Sequence, residues 1–67
     1  MRLRNRVAAQ RKARGLTQAE LAQKVGVTRR TIISLEKGNY SPSLTLGLLL
    51  AQALNVEVND LFALEEE

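Results

Sequence analysis

The sequence predicts an all-α fold, a compact bundle of five short helices built by residues 1–67 as a single domain. Three observations predict it. Two hydroxyl caps and two glycines bracket a pair of helical stretches between Thr17 and Lys37. Apolar residues recur at helical spacing before and after that segment, and 67 residues suffice for one core without room for a second domain.

The elements follow in order. Residues 2–14 form a first helix with Leu3, Val7 and either Gln10 or Arg11 turned inward, and Gly15 closes it. Thr17 caps the second helix, and Glu20, three residues on, reaches back to the cap's own N–H. Leu21, Ala22 and Val25 are its inward positions, and Gly26 ends it because a left-handed turn is cheap without a Cβ. Thr28 caps the third helix, Ile32 and Leu35 point inward, and Gly38 stops it. This is a helix-turn-helix, with Ala22 as the small residue where the two helices cross. Ser41 is the expected cap of a fourth helix, with Pro42 at its first position, where no intrahelical N–H is needed; it runs through about Leu54. A fifth spans about Val58 to Ala63, with Val56, Val58, Leu61 and Phe62 contributing apolar surface, and residues 65–67 are expected to fray.

With Ile32 and Leu35 inward, Arg29, Arg30, Ile33, Ser34 and Lys37 occupy the outward side of the third helix. A helix from Arg29 to Lys37 is about 13 Å long, enough to lie in a DNA major groove. Arginine matches guanine O6 and N7 bidentately, serine serves either base type, and isoleucine packs on a thymine methyl.

In the stretches QAELAQKVG, TRRTIISLEKG, NYSPSL and NVEVNDLF the chain resembles the phage-repressor or Cro-type (xenobiotic-response-element-like) helix-turn-helix transcriptional regulators, whose DNA-binding domain is lambda-repressor-like. The resemblance covers residues 3–62. It implies base contacts by Thr28, Arg29, Arg30, Ile33 and Ser34, and phosphate contacts by Gln18, Lys37, Asn39 and Tyr40. It also implies an ion pair between Arg11 and Glu36, supported by the position of Glu36 beside the buried face of its helix. Gln10 departs from the family's apolar residue, and Glu57 from its usual serine or threonine cap.

Charge is split along the chain. All ten Lys and Arg lie in residues 2–37 with only Glu20 and Glu36, leaving that segment at +8. Residues 38–67 carry Glu57, Asp60, Glu65, Glu66 and Glu67 and no base, hence −5. The basic half is the expected face toward a polyanion, with binding that weakens as salt rises. Without cysteine or histidine, thiol chemistry and the usual transition-metal sites drop out; no cofactor, metal or small-molecule ligand is expected, and an enzyme is not. With only Tyr40 and Phe62 as aromatics, double-stranded DNA is a better partner than single-stranded RNA. The absence of a signal-like or membrane-spanning apolar run points to the cytoplasm.

The fourth helix is unusually apolar. Leu44, Gly47, Leu48, Leu50, Ala51 and Leu54 gather on one side, which leaves Leu46, Leu49 and Ala53 on the other as a candidate homodimer seam. The functional expectation is therefore a homodimeric repressor reading a near-palindromic operator. The alternative is an antitoxin-like or other interaction module that docks on a partner protein through the Leu46/Leu49 face.

Overall fold

A computed structural model describes residues 1–66 as β1 (Arg2–Asn5), α1 (Val7–Ala13), α2 (Gln18–Val25), α3 (Arg29–Glu36), α4 (Leu44–Leu54), α5 (Val58–Leu61) and β2 (Phe62–Glu65). The five helices are present, and a two-stranded antiparallel sheet is added to them. Its register pairs Arg2 with Glu65, Leu3 with Leu64, Arg4 with Ala63 and Asn5 with Phe62.

The sheet corrects both ends of the sequence reading. Residues 2–5 do not extend the first helix; they are strand, and the helix begins at Val7. The last helix stops at Leu61, and Phe62 and Ala63 belong to β2. Glu65 is not frayed, because its carboxylate accepts from Arg2 at 3.0 Å and from Arg4 at 3.5 Å. Glu67 lies outside the described residues. The physical reason is that each strand's hydrogen-bonding partner is the opposite end of the chain, which no local pattern can reveal.

The motif follows the local signals. Thr17 Oγ1 accepts from the Glu20 N–H at 3.0 Å while the Thr17 N–H donates to Glu20 Oε1 at 2.8 Å, closing the capping box. These contacts, the backbone one first, hold the Glu20 carboxyl below its ordinary pKa. Gly26 caps α2 at φ 79°, inside the left-handed region, and Thr28 Oγ1 accepts from the Thr31 N–H at 3.3 Å to open α3.

α4 departs from its expected start and facing. Its cap is Ser43, whose Oγ accepts from the Leu46 N–H at 3.1 Å, so Ser41 and Pro42 precede the helix. The inward set differs as well. Leu46, Gly47, Leu50, Ala51 and Leu54 are buried, whereas Leu44 and Leu48, expected inside, are 76% and 51% exposed. Gly47 faces the half-buried Phe62, and a Cβ there would meet its ring at 3.7 Å, an ordinary van der Waals contact.

The core joins Val7 of α1, Leu21, Ala22 and Val25 of α2, Ile32 and Leu35 of α3, the buried side of α4, and Leu61. Val56, Val58 and Phe62 pack against its edge. Gln10 stays at the half-buried margin, where its Oε1 accepts from Arg14 at 2.7 Å, so a polar residue stands there without burial of an unpaired amide. Glu57 stands at the cap position of α5, and Asp60 Oδ2 accepts from its N–H at 3.3 Å. No helix among the described residues is long and apolar enough to cross a membrane.

Ala22 is 3% exposed. Ala22→Leu should lower unfolding stability by about 1–3 kcal/mol through overpacking, read as a reduced urea midpoint at unchanged slope.

Candidate nucleic-acid interface

α3 is eight residues long and about 12 Å from end to end, with Lys37 as its C-cap rather than its last turn. Ile32 and Leu35 are fully buried, which fixes the rotation of the helix and turns its other side outward. On that side Arg29 and Arg30 are exposed, and Ile33 and Ser34 are half-buried.

A shallow surface groove beside α3 is lined by Thr28, Arg30, Thr31, Ser34, Asn39 and Tyr40. It brings three of the expected base-contacting residues together with two of the expected phosphate-contacting ones. Asn39 is held there by its N–H, which donates to the Ser34 carbonyl at 3.1 Å. Arg29 and Ile33 lie on α3 outside this groove, and Lys37 lines a separate one with Arg2, Leu3, Arg4, Asn5, Glu36 and Gly38. Thr31 was not singled out from the sequence. Its spacing of three from Thr28 was the available signal, and the two hydroxyls lie 3.1 Å apart.

Behind this face sits a buried polar network. Arg11 Nε donates to Glu36 Oε2 at 2.7 Å and a terminal nitrogen donates to Glu36 Oε1 at 3.2 Å, with the two side chains 10% and 8% exposed. The other terminal nitrogen of Arg11 donates to the Leu16 carbonyl at 2.7 Å. Gln18 Nε2 also donates to Glu36 Oε1, at 3.1 Å, so this residue, expected at a phosphate, braces α3 from α2. Burial opposes ionisation of Glu36, yet the hydrogen bonds from Arg11 and Gln18 and the Arg11 charge outweigh it and hold the carboxyl below its ordinary pKa. The Glu36 hydrogen bond, against the cost of burial, raises the Arg11 guanidinium above its own.

The seam expected on α4 is altered. Leu46 is 6% exposed and belongs to the protein's own core, and Ala53 is half-buried against that core. Of the three, Leu49 is exposed, at 39%. Leu48 and Leu49 instead line an apolar groove with Thr45, Ala51, Gln52, Val56, Glu57 and Val58, between α4 and α5.

A family model described as helix-turn-helix matches residues 7–61, spanning α1 through α5. The chain belongs to this helix-turn-helix family of DNA-binding transcriptional regulators. It is 54% identical over 66 residues to a protein of Methanothermobacter thermautotrophicus named an uncharacterized HTH-type transcriptional regulator, covering 97% of this chain and 96% of that one. It is 37% identical over 59 residues to the immunity repressor protein of Bacillus phage phi105, covering 88% of this chain and 41% of the longer repressor. The crystal structure of the restriction-modification controller protein C.AhdI from Aeromonas hydrophila superposes with a TM-score of 0.77 at 35% identity, covering 81% of this chain and 82% of that one.

Two measurements probe the network. Arg11→Ala should cost about 3–5 kcal/mol of unfolding free energy by leaving Glu36 buried without its cation, seen in urea titration at pH 7. A carboxyl whose folded pKa is depressed stabilises the fold above its unfolded value, about 4.3, and loses that contribution as pH falls through the folded value. Wild-type urea midpoints should therefore drop as pH is lowered from about 5 to about 3, and Glu36→Gln should be less stable at neutral pH with a smaller drop on acidification.

Proposed function

We propose that the protein is a sequence-specific repressor that binds duplex DNA as a homodimer, with α3 in the major groove of each half of a near-palindromic operator. The observation that carries this reading is the groove in which Thr28, the cap of α3, and Arg30 and Ser34 within it stand beside Asn39 and Tyr40. Donors that reach base edges and groups that reach the flanking backbone lie on one face, which is what positioning and reading a duplex require together. Thr28, Arg29, Arg30 and Ser34 with Ile33 read bases, and Lys37, Asn39, Tyr40 and Gln18 meet phosphates. The activity is binding rather than catalysis, and the protein acts in the cytoplasm, where the DNA is.

One eight-residue helix touches few base pairs, so a second copy is the economical source of specificity. The Leu48, Leu49, Val56 and Val58 groove is the surface for it: it is apolar, lies away from α3 on the other helices, and is continuous across α4 and α5. A two-fold axis there would make the seam self-complementary, as duplex half-sites about 34 Å apart demand.

Selection of bound duplexes from a random library at about 150 mM salt tests the reading. Enrichment of a near-palindrome with half-sites about ten base pairs apart is the expected result. Binding without enrichment, lost as salt rises, would overturn base reading and favour a protein partner on the α4–α5 groove. On the selected site, Arg30→Ala should cost about 1–3 kcal/mol and relax base preference, whereas Lys37→Ala should weaken cognate and random duplexes alike. Leu48→Asp with Leu49→Asp should sediment as a monomer; an unchanged dimer mass would rule out this seam.

A further inference from the structure

Asn5 stands where β1 hands over to α1, half-buried and paired with Phe62 in the sheet. Both ends of its carboxamide are used. Oδ1 accepts from the Val7 N–H at 3.2 Å, supplying the cap that the side chain of Arg6 does not make. Nδ2 donates to the Leu35 carbonyl at 3.0 Å, in the last turn of α3. The same carbonyl accepts from the Gly38 N–H at 3.0 Å, so both of its lone pairs are engaged. On the next residue, the Arg6 N–H donates to the Leu61 carbonyl at 2.8 Å and ties this junction to the end of α5.

We infer that Asn5 is a positioning residue for the recognition helix, setting how far α3 stands along its own axis and so where its outward side chains meet the bases. The inference rests on the reading that α3 contacts bases. Helix carbonyls point along the axis toward the C-terminus, so a donor fixed on Leu35 O resists sliding of α3. Arg11 grips the neighbouring residue, Glu36, by its side chain and resists rotation instead. The two ties act on consecutive residues of α3 and come from opposite ends of one stretch, Asn5 to Arg11, so together they define the pose of the helix. The sheet completes the device, because strand pairing and the Arg2 and Arg4 bonds to Glu65 anchor β1, from which Asn5 reaches out.

The chemistry separates this role from simple capping of α1. Aspartate is as good a cap and its charge suits a helix N-terminus. It has no donor for Leu35 O, however, and would set a carboxylate oxygen against a carbonyl oxygen. Asn5→Asp therefore keeps the capping function and removes the positioning one.

The test compares wild type, Asn5→Asp and Asn5→Ala for affinity to the duplex selected by wild type and to a random duplex, at a temperature where circular dichroism shows equal helicity. The expected result is a fall of about tenfold in the cognate-to-random ratio for Asn5→Asp, of the order that loss of one buried hydrogen bond gives. A ratio for Asn5→Asp within about twofold of wild type, well below the effect of losing that hydrogen bond, would overturn the inference. Should neither variant fold, the wild-type Asn5 carboxamide protons decide by nuclear magnetic resonance: slow exchange of one of them supports the bond to Leu35 O, and fast exchange of both overturns it. If wild type itself shows no cognate preference, base reading by α3 fails, and the carboxamide exchange still reports on the bond separately.

Discussion

The arrangement of this protein depends on the Arg11–Glu36 pair and the groups gathered around it. A carboxylate at 8% exposure cannot stay ionised without partners, and Glu36 takes them from two different elements, Arg11 of α1 and Gln18 of α2. Arg11 uses a further donor on the Leu16 carbonyl, so the segment leading into α2 is held by the same guanidinium. Three helices and one turn thus converge on one acid. An apolar cluster of the same volume would hold them as firmly, but a directional fork of hydrogen bonds admits fewer alternative packings. For the base-reading role proposed for α3, a unique pose matters more than added stability.

Space redistributes the charge that the sequence separates. Along the chain the bases come first and the acids last, yet the sheet folds the acidic end back so that Glu65 meets Arg2 and Arg4, and those hydrogen bonds, the one from Arg2 first, hold its carboxyl below the ordinary range. The strand arginines are thereby partly neutralised, while Arg29 and Arg30 form no ion pair among the described residues. The exposed Arg29 and Arg30 give the outward side of α3 a positive charge. Pairing between exposed ions contributes little stability, so the sheet itself, through its backbone ladder and the half-buried Phe62, does more to close the chain ends.

Much of the candidate interface was legible because helix-turn-helix signals are local. A capping box, a glycine in the left-handed region and a second threonine cap are each decided by residues within four positions, and the inward Ile32 and Leu35 follow from helical spacing. The α4 reading failed for a related reason. Ser41 and Ser43 are both competent caps, and choosing the first, with Pro42 behind it, misplaced the start by two residues; Leu46 was assigned to the outer side because α4 is apolar nearly all round and spacing alone does not say which side the core covers. Proline's suitability for the first turn did not compete with the hydrogen bond that Ser43 makes to Leu46. Gln18 was legible as a polar residue at a helix start, but its choice of Glu36 over solvent depends on how α3 crosses α2.

By itself, then, the sequence determined where α2 and α3 begin and end, which of their sides is buried, and which cations face outward, since these are consequences of spacing and of single residues acting on their neighbours. Tertiary structure alone decided the pairing of residues 2–5 with 62–65, the inward turn of Leu46, the outward turn of Leu44 and Leu48, and the reach of Asn5 to Leu35. Each of these joins groups far apart in the chain or depends on which of several apolar sides another element covers. Contacts of that kind exist only once the whole core has closed.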